Sequence, residues 1–155
     1  MGVTIHYSGQ LRSPDKLHAL TAFAEQLATD WHWRFERIQN GPEAYPVGFT
    51  AYPHEDCEPL RFEFGKDRKV RNWVKTQFAG PEVHVAIVRF LRQIRPLIGR
   101  LGIRDEGEYW ETGNPEKLRD HMDTINRIIK EMKDEKPNIR VKVHEPDGRI
   151  VDVIG

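Results

Sequence analysis

Residues 47–64 have the sequence VGFTAYPHEDCEPLRFEF, and this stretch decides the fold class. Apolar side chains fall at every second position in residues 47–51 and again in residues 60–64. This period of two predicts two strands, each with one buried face. The connection at 53–59 is too short for a helical crossover, so we expect the strands to pair in antiparallel fashion. Such neighbours argue against a doubly wound parallel sheet.

The same alternation predicts strands outside this stretch. Residues 3–11 alternate, so that Val3, Ile5, Tyr7 and Leu11 share one face. The opposite, polar face is expected to meet solvent, and its members are Thr4, His6, Ser8 and Gln10. Further extended segments are predicted at 33–38, 102–112 and, as a C-terminal hairpin, 139–154, whereas 70–78 is ambiguous and compatible with a fifth strand. Asn40-Gly41-Pro42 is predicted to end the strand at 33–38.

Three amphipathic helices are predicted from apolar residues at helical spacing, over 14–31, 81–98 and 115–136. Ser13-Pro14 and Asn114-Pro115 have the pattern of a capping side chain followed by proline at the first helical position. Gly99 and Pro137 are predicted to end the second and third helices.

The predicted order of elements is therefore βαβββ(β)αβαββ. We expect one α+β domain over residues 1–155, in which a single, mostly antiparallel sheet carries three helices on one face. Residues 139–155 are compatible with a separate hairpin appendage, because the connection from Lys133 to Asn138 is the most polar in the chain.

Composition excludes several classes of protein. The chain has 24 basic and 24 acidic residues, and this balance disfavours nucleic acid as a partner. No apolar run approaches the roughly 18–20 residues that cross a bilayer. Residues 1–10 lack a signal-peptide pattern, so we expect a cytoplasmic protein without a membrane partner. Cys57 is the only cysteine, which excludes an intrachain disulfide. Nucleotide-binding, zincin, nucleophile-elbow and EF-hand motifs are absent, so no cofactor is predicted.

Residues 104–111, RDEGEYWE, combine four carboxylates with two aromatic side chains. On a strand, Glu106, Glu108 and Trp110 would share one face. Neighbouring like charges raise a carboxyl pKa, so such a pair suits acid–base chemistry or a hard cation. The alternative is an exposed strand whose acids pair with the arginines of residues 89–100.

Residues 66–78, KDRKVRNWVKTQF, interleave five basic side chains with Trp73 and Phe78. Basic groups neutralise phosphates, and an aromatic face stacks on a base. The alternative is a solvated edge strand whose lysines prevent edge pairing. Because large aromatics among charges indicate a binding surface, the predicted ligand-binding residues are Trp73, Lys75, Glu106, Glu108 and Trp110.

Residues 53–58, PHEDCE, are dense in side chains that can bind metals. His54 of this segment and His84, near the start of the second helix, are predicted as ligands of a His/carboxylate or His/Cys site for a divalent metal. The spacing matches no zinc motif. The alternative is an ordinary polar loop in which Cys57 is a small buried side chain.

Three functions stay open on the sequence alone, and only one of them makes the protein an enzyme. The first is a non-catalytic module that binds a small polar or anionic ligand, or a protein segment, in a groove around the predicted ligand-binding residues and His84. The second is a metal-dependent hydrolase in which His54 and His84 hold the ion and Glu106 or Glu108 activates a water. The third is a nucleic-acid-associated protein that uses the basic run 66–75. A polar sheet face without a covering helix is also compatible with a homodimer.

Overall fold

The computed structural model describes residues 2–38 and 44–155, and it confirms the α+β class. The strands in these ranges are β1 (Thr4–Leu11), β2 (Arg34–Ile38), β3 (Val47–Tyr52), β4 (Leu60–Phe64), β5 (Lys69–Lys75), β6 (Gly99–Asp105), β7 (Arg140–His144) and β8 (Ile150–Ile154). The helices are α1 (Lys16–Asp30), α2 (Pro81–Ile98), α3 (Tyr109–Thr112) and α4 (Pro115–Glu135). The strand end predicted at Asn40-Gly41-Pro42 lies outside the described residues.

The strands are antiparallel, as expected, but they divide among three small sheets. The orders are β5-β1-β6, β2-β3-β4 and β7-β8. In the first sheet β1 is central, and Ile5 pairs with Val74 of β5 on one side and with Asp105 of β6 on the other. The N-terminal strand is thus held by two segments that are distant in sequence.

The side chain of Tyr7 joins the two larger sheets. Its hydroxyl donates to the carbonyl oxygen of Arg61 at 2.6 Å and accepts from the amide nitrogen of Arg61 at 3.0 Å. Burial raises the pKa of Tyr7, so the phenol keeps the proton that it donates. Because this hydroxyl satisfies both backbone groups of Arg61, β4 needs no further strand at that point. A side chain of β1 therefore takes the place of strand pairing between the sheets.

An aromatic ladder continues across the same junction. Phe35, Phe49, Phe62 and Tyr7 stack in this order, with successive ring centroids 5.2, 5.2 and 4.9 Å apart. The ladder runs from β2 to β1 through one continuous core. Helix α1 packs against β2 and β3, and α2 packs against β1 and β6. The core therefore lies between the helices and one face of the sheets.

The three predicted helices are present as α1, α2 and α4, and the start of α1 needs a correction. Helix α1 starts at Lys16 and has no side-chain cap, whereas the sequence indicated a start at Ser13-Pro14. The Ser13 hydroxyl bonds to the carboxylate of Asp15 instead of capping the helix. Asn114 does cap α4, since its side chain accepts from two backbone amides of the first turn. No helix in the described ranges is both long and apolar enough to cross a membrane.

The predicted extended segment 102–112 is wrong beyond Asp105. The Asp105 carboxylate accepts from the backbone amides of Gly107 at 2.7 Å and Trp110 at 2.9 Å. These bonds close a turn, in which Glu108 adopts a left-handed conformation with φ of 59° before α3 begins. Glu106, Glu108 and Trp110 therefore do not share a strand face.

Candidate functional site

The polar face of the β5-β1-β6 sheet, which we call the open face, points away from the core. The strand registers place its side chains in rows across the three strands. In the order β5, β1, β6 three of the rows are Trp73, His6 and Arg104; Arg71, Ser8 and Gly102; and Lys69, Gln10 and Arg100. At one end Lys75 pairs with Thr4, and Glu106, which follows β6, donates its backbone amide to the carbonyl oxygen of Thr4 at 3.0 Å. Thr4 is buried at one end, whereas the other β1 members of the face are accessible to solvent.

Two depressions follow β1 along the open face. The larger encloses about 970 Å³ around His6 and Trp73, and the smaller encloses about 350 Å³ around Gln10. Both are lined by Ser8 and Arg71, so they form one continuous track. Gly102 leaves space above the strand, because a methyl group added there would meet nothing closer than 3.8 Å.

Four cationic side chains flank this track. Within residues 2–38 and 44–155, no hydrogen bond or ion pair engages the charged groups of Lys69, Arg71, Arg100 and Arg104. The carboxylate that lines the track belongs to Glu106, which lies 3.4 Å from Nε2 of His6. Clustered cations of this kind create a local positive potential even though the whole chain is neutral.

Trp73 is the large aromatic residue of the open face, and 46% of it is exposed. The guanidinium of Arg149 lies over its ring at 4.0 Å from the centroid. Arg149 also donates to the carbonyl oxygen of Trp73 at 2.7 Å. This hydrogen bond positions the guanidinium, and the cation–π contact then covers one face of the indole.

Lys75 forms the edge of the track next to the C-terminal hairpin. Its Nζ donates to the carbonyl oxygen of Ile150 at 2.7 Å and lies 3.1 Å from Oδ1 of Asp152. Only 15% of its side chain is exposed. The charge of Lys75 is therefore already paired, and its role in the structure is to fasten β8 to β5.

Glu58 strengthens the same junction between β5 and β8. Its side chain is 2% exposed, and it accepts from the amide nitrogen of Lys75 at 2.8 Å and from that of Ile150 at 2.9 Å. Nη1 of Arg149 lies 3.3 Å from the same carboxylate. One buried carboxylate thus ties together the end of β5, the start of β8 and the arginine that covers Trp73. The interpretation of residues 139–155 as a separate hairpin appendage stays a prediction.

Replacing Glu58 with alanine is expected to lower the free energy of unfolding by about 3 kcal/mol, because buried donors lose a charged acceptor. Amide hydrogen exchange should also accelerate in β7 and β8, since the hairpin loses its anchor. The matched control is Glu55→Ala in the same loop, where the side chain is exposed and the expected change is within about 0.5 kcal/mol. Equal effects of the two substitutions in urea denaturation would contradict this role of Glu58.

The structure brings together three of the five predicted ligand-binding residues. Trp73, Lys75 and Glu106 line the larger depression. Glu108 lies against α4, where Nε2 of His121 is 2.6 Å from its carboxylate. This hydrogen bond lowers the pKa of Glu108 below the usual range.

Trp110 also lies away from the track, next to α2. The guanidinium of Arg92 is 4.3 Å from the centroid of its ring, and Arg92 donates to its carbonyl oxygen at 2.6 Å. The indole is packed among arginine side chains of the helix instead of facing the open sheet. Of the acidic segment 104–111, Glu106 thus lies in the larger depression with Trp73 and Lys75, whereas Glu108 and Trp110 lie against the helices.

His84 is buried in the core beside the sheet. Its Nε2 lies 2.9 Å from Oδ2 of Asp105, and its Nδ1 lies 2.7 Å from the hydroxyl oxygen of Thr76. Burial raises the pKa of Asp105, but the hydrogen bond and charge of His84 lower it, and the net shift is downward. This network holds the end of β6 against the start of α2.

The other predicted metal ligand, His54, lies in an exposed loop. Its Nδ1 accepts from the amide nitrogen of Asp56 at 3.0 Å. Burial raises the pKa of the nearby Cys57 thiol, which keeps it protonated. In the described part of the chain, no group of three or more His, Cys, Asp or Glu side chains is arranged to hold a metal ion. Metal binding by His54 and His84 stays a prediction.

The predicted ligand-binding residues do not include the four cations that flank the track. Lys69 and Arg71 belong to the predicted basic run, and reading 69, 71, 73 and 75 as one strand face would have grouped them with Trp73. Arg100 and Arg104 come from β6, and no local pattern places β6 beside β1. Nothing in the sequence around Arg149 indicates that its side chain lies over Trp73.

Comparisons with known proteins identify no relative of this chain. No protein-family model, no curated protein and no solved structure matches it. Its function is therefore inferred from the geometry and charge of the open face.

Proposed function

We propose that this protein is a non-catalytic binding module that holds an anionic, phosphate-bearing ligand on the open face. The observation that carries the proposal is the set of four cations along one track beside the exposed Trp73, none of which has a partner for its charge among the residues that the structure describes. Lys69 and Arg71 flank β1 on one side, and Arg100 and Arg104 flank it on the other. A ligand lying over β1 would therefore meet positive charge from both sides.

The chemistry of these side chains supports phosphate as the recognised group. A guanidinium presents a planar fork of donors that matches two oxygens of one phosphate. Ser8 lies between Arg71 and Gly102 in its row, where its exposed hydroxyl is a neutral donor and acceptor. The glycine leaves room for the ligand to approach the strand closely.

The affinity of a small phosphate probe tests the proposal. Sodium tripolyphosphate is expected to bind the wild type in calorimetric titration at low salt. The double substitution Arg71→Gln and Arg104→Gln should weaken binding about tenfold or more, because two charge-assisted contacts are lost. The matched control is Arg89→Gln with Arg127→Gln, which removes the same charge from exposed positions on α2 and α4.

The control decides whether a site exists. Binding that survives in the α2/α4 variant but fails in the open-face variant supports the proposal. Equal losses in the two variants would mean that only net charge matters, and this result would overturn it. Failure of the wild type to bind tripolyphosphate at low salt would overturn it as well.

A further inference from the structure

We infer that the ligand of the open face is single-stranded nucleic acid, with phosphates on the four cations and a base stacked on Trp73. This inference rests on the proposed function and narrows it to one class of ligand. The neutral net charge of the chain disfavours nucleic acid only if the charge is evenly spread. The structure instead collects on one face four cations that have no charge partner within residues 2–38 and 44–155, which gives a local attraction for a polyanion.

The length of the track favours a polymer over a single phosphate group. The row of Trp73 and the row of Lys69 are four residues apart on β5, which is roughly 13 Å of strand. Cations stand at both ends of this distance, since Arg104 shares the first row and Arg100 the last. One phosphate cannot reach both ends, whereas successive phosphates of one strand can.

Trp73 adds a requirement that a simple polyanion does not meet. Its exposed ring stands at one end of the charged track, and Arg149 covers one of its faces. The other face of a fixed indole is a platform for a planar partner, and every nucleobase has such a face. Polyphosphate offers no planar group. A duplex hides its base faces in the stack, so the partner that satisfies both features is a single strand.

Binding of fluorescein-labelled oligomers by the intact protein tests this inference. The probes are oligothymidylate and oligouridylate of about twelve nucleotides, an abasic oligomer of equal length and a duplex. We expect one or both base-bearing single strands to bind at least about tenfold more tightly than the abasic oligomer and the duplex. Four phosphate contacts predict that the logarithm of affinity falls with the logarithm of salt concentration with a slope of about −3.

Substitutions of Trp73 separate stacking from charge. Trp73→Ala is expected to weaken binding of the base-bearing strand about 10- to 100-fold and to leave binding of the abasic oligomer unchanged. Trp73→Phe keeps an aromatic face and should retain most of the affinity. An unlabelled oligomer should quench part of the tryptophan fluorescence of the wild type, and this part should be missing in Trp73→Phe.

The outcomes distinguish this inference from the proposed function. Equal affinity for base-bearing and abasic strands, or an unchanged affinity in a folded Trp73→Ala variant, would overturn the inference while tripolyphosphate binding still stands. Binding of tripolyphosphate without binding of any oligomer would also overturn the inference and leave the proposed function standing. If no phosphate-bearing probe binds, both this inference and the proposed function are overturned. If Trp73→Ala fails to fold, the comparison of oligomers and the fluorescence of Trp73→Phe still decide the question.

Discussion

Replacing Asp105 with alanine is expected to lower the free energy of unfolding by about 3–5 kcal/mol. The substitution leaves Nε2 of the buried His84 without its partner, and it removes the acceptor of two backbone amides, those of Gly107 and Trp110. Both the core contact between β6 and α2 and the turn that follows β6 depend on this one carboxylate. Urea denaturation at pH 7 measures the change.

The neighbouring Glu106 provides the matched control for stability. Its side chain is exposed, and its recorded contact is a 3.4 Å approach to His6, so Glu106→Ala should change the free energy of unfolding by less than about 1 kcal/mol. Asp105→Asn keeps the shape and part of the hydrogen bonding, and its effect should lie between the two. An Asp105→Ala variant as stable as Glu106→Ala would contradict the structural role of the carboxylate.

The Asp105 carboxylate also affects how the free energy of unfolding depends on pH in the acidic range. The pKa of Asp105 is lower in the folded state than the value of about 3.9 in unfolded chains, so the folded state favours the ionised form. This contribution is complete above the unfolded pKa and is lost as the pH falls through the folded pKa. The free energy of unfolding should therefore decrease from pH 5 downward more steeply in the wild type than in Asp105→Asn.

Replacing Gly48 with alanine is expected to cost at least about 3 kcal/mol. Gly48 lies in β3 with φ of +138°, a conformation that side-chain-bearing residues rarely adopt, and an added Cβ would lie 1.9 Å from the carbonyl oxygen of Phe62. That oxygen belongs to the neighbouring strand β4, so relief of the clash requires the two strands to move apart. The aromatic ladder through Phe62 would shift with them.

Gly102→Ala is the control for this substitution. It also places a methyl group on a strand, but its nearest neighbours would be 3.8 Å away, which is ordinary contact. We expect a change within about 1 kcal/mol for this variant. If the two alanine variants unfold at the same urea concentration, this result would contradict the close approach of β3 and β4 at Gly48.

Most of the elements are encoded by local patterns, which explains how they could be predicted. Period-two alternation identified β1, β3 and β4, and the apolar stripes and proline caps located α2 and α4. The turn after Asp105 could not be predicted, because it depends on one side chain bonding to two particular amides. The junction between the two larger sheets could not be predicted either, because it involves the Tyr7 hydroxyl bonding to the backbone of Arg61, 54 residues away.

The candidate site was predictable only in part, because strand pairing assembles it. Trp73 stood out as an aromatic residue among charges, and it does lie on the open face. Arg104 lies in a segment dominated by acids, so local composition hides its place beside His6. Trp110 showed the same local signal as Trp73, and Glu108 lay in the same acidic segment, but the turn directs both to the helices. Local composition identifies candidates, and long-range register decides among them.

The central position of β1 has a consequence during synthesis on the ribosome. Its partner β6 follows about a hundred residues later, since Ile5 pairs with Asp105. At about 5–20 residues per second, the ribosome needs roughly 5–20 s to make the intervening chain. For that period β1 has a free edge that can pair with other chains. Completion of this sheet, and of the track on its open face, must therefore wait until most of the protein has been made.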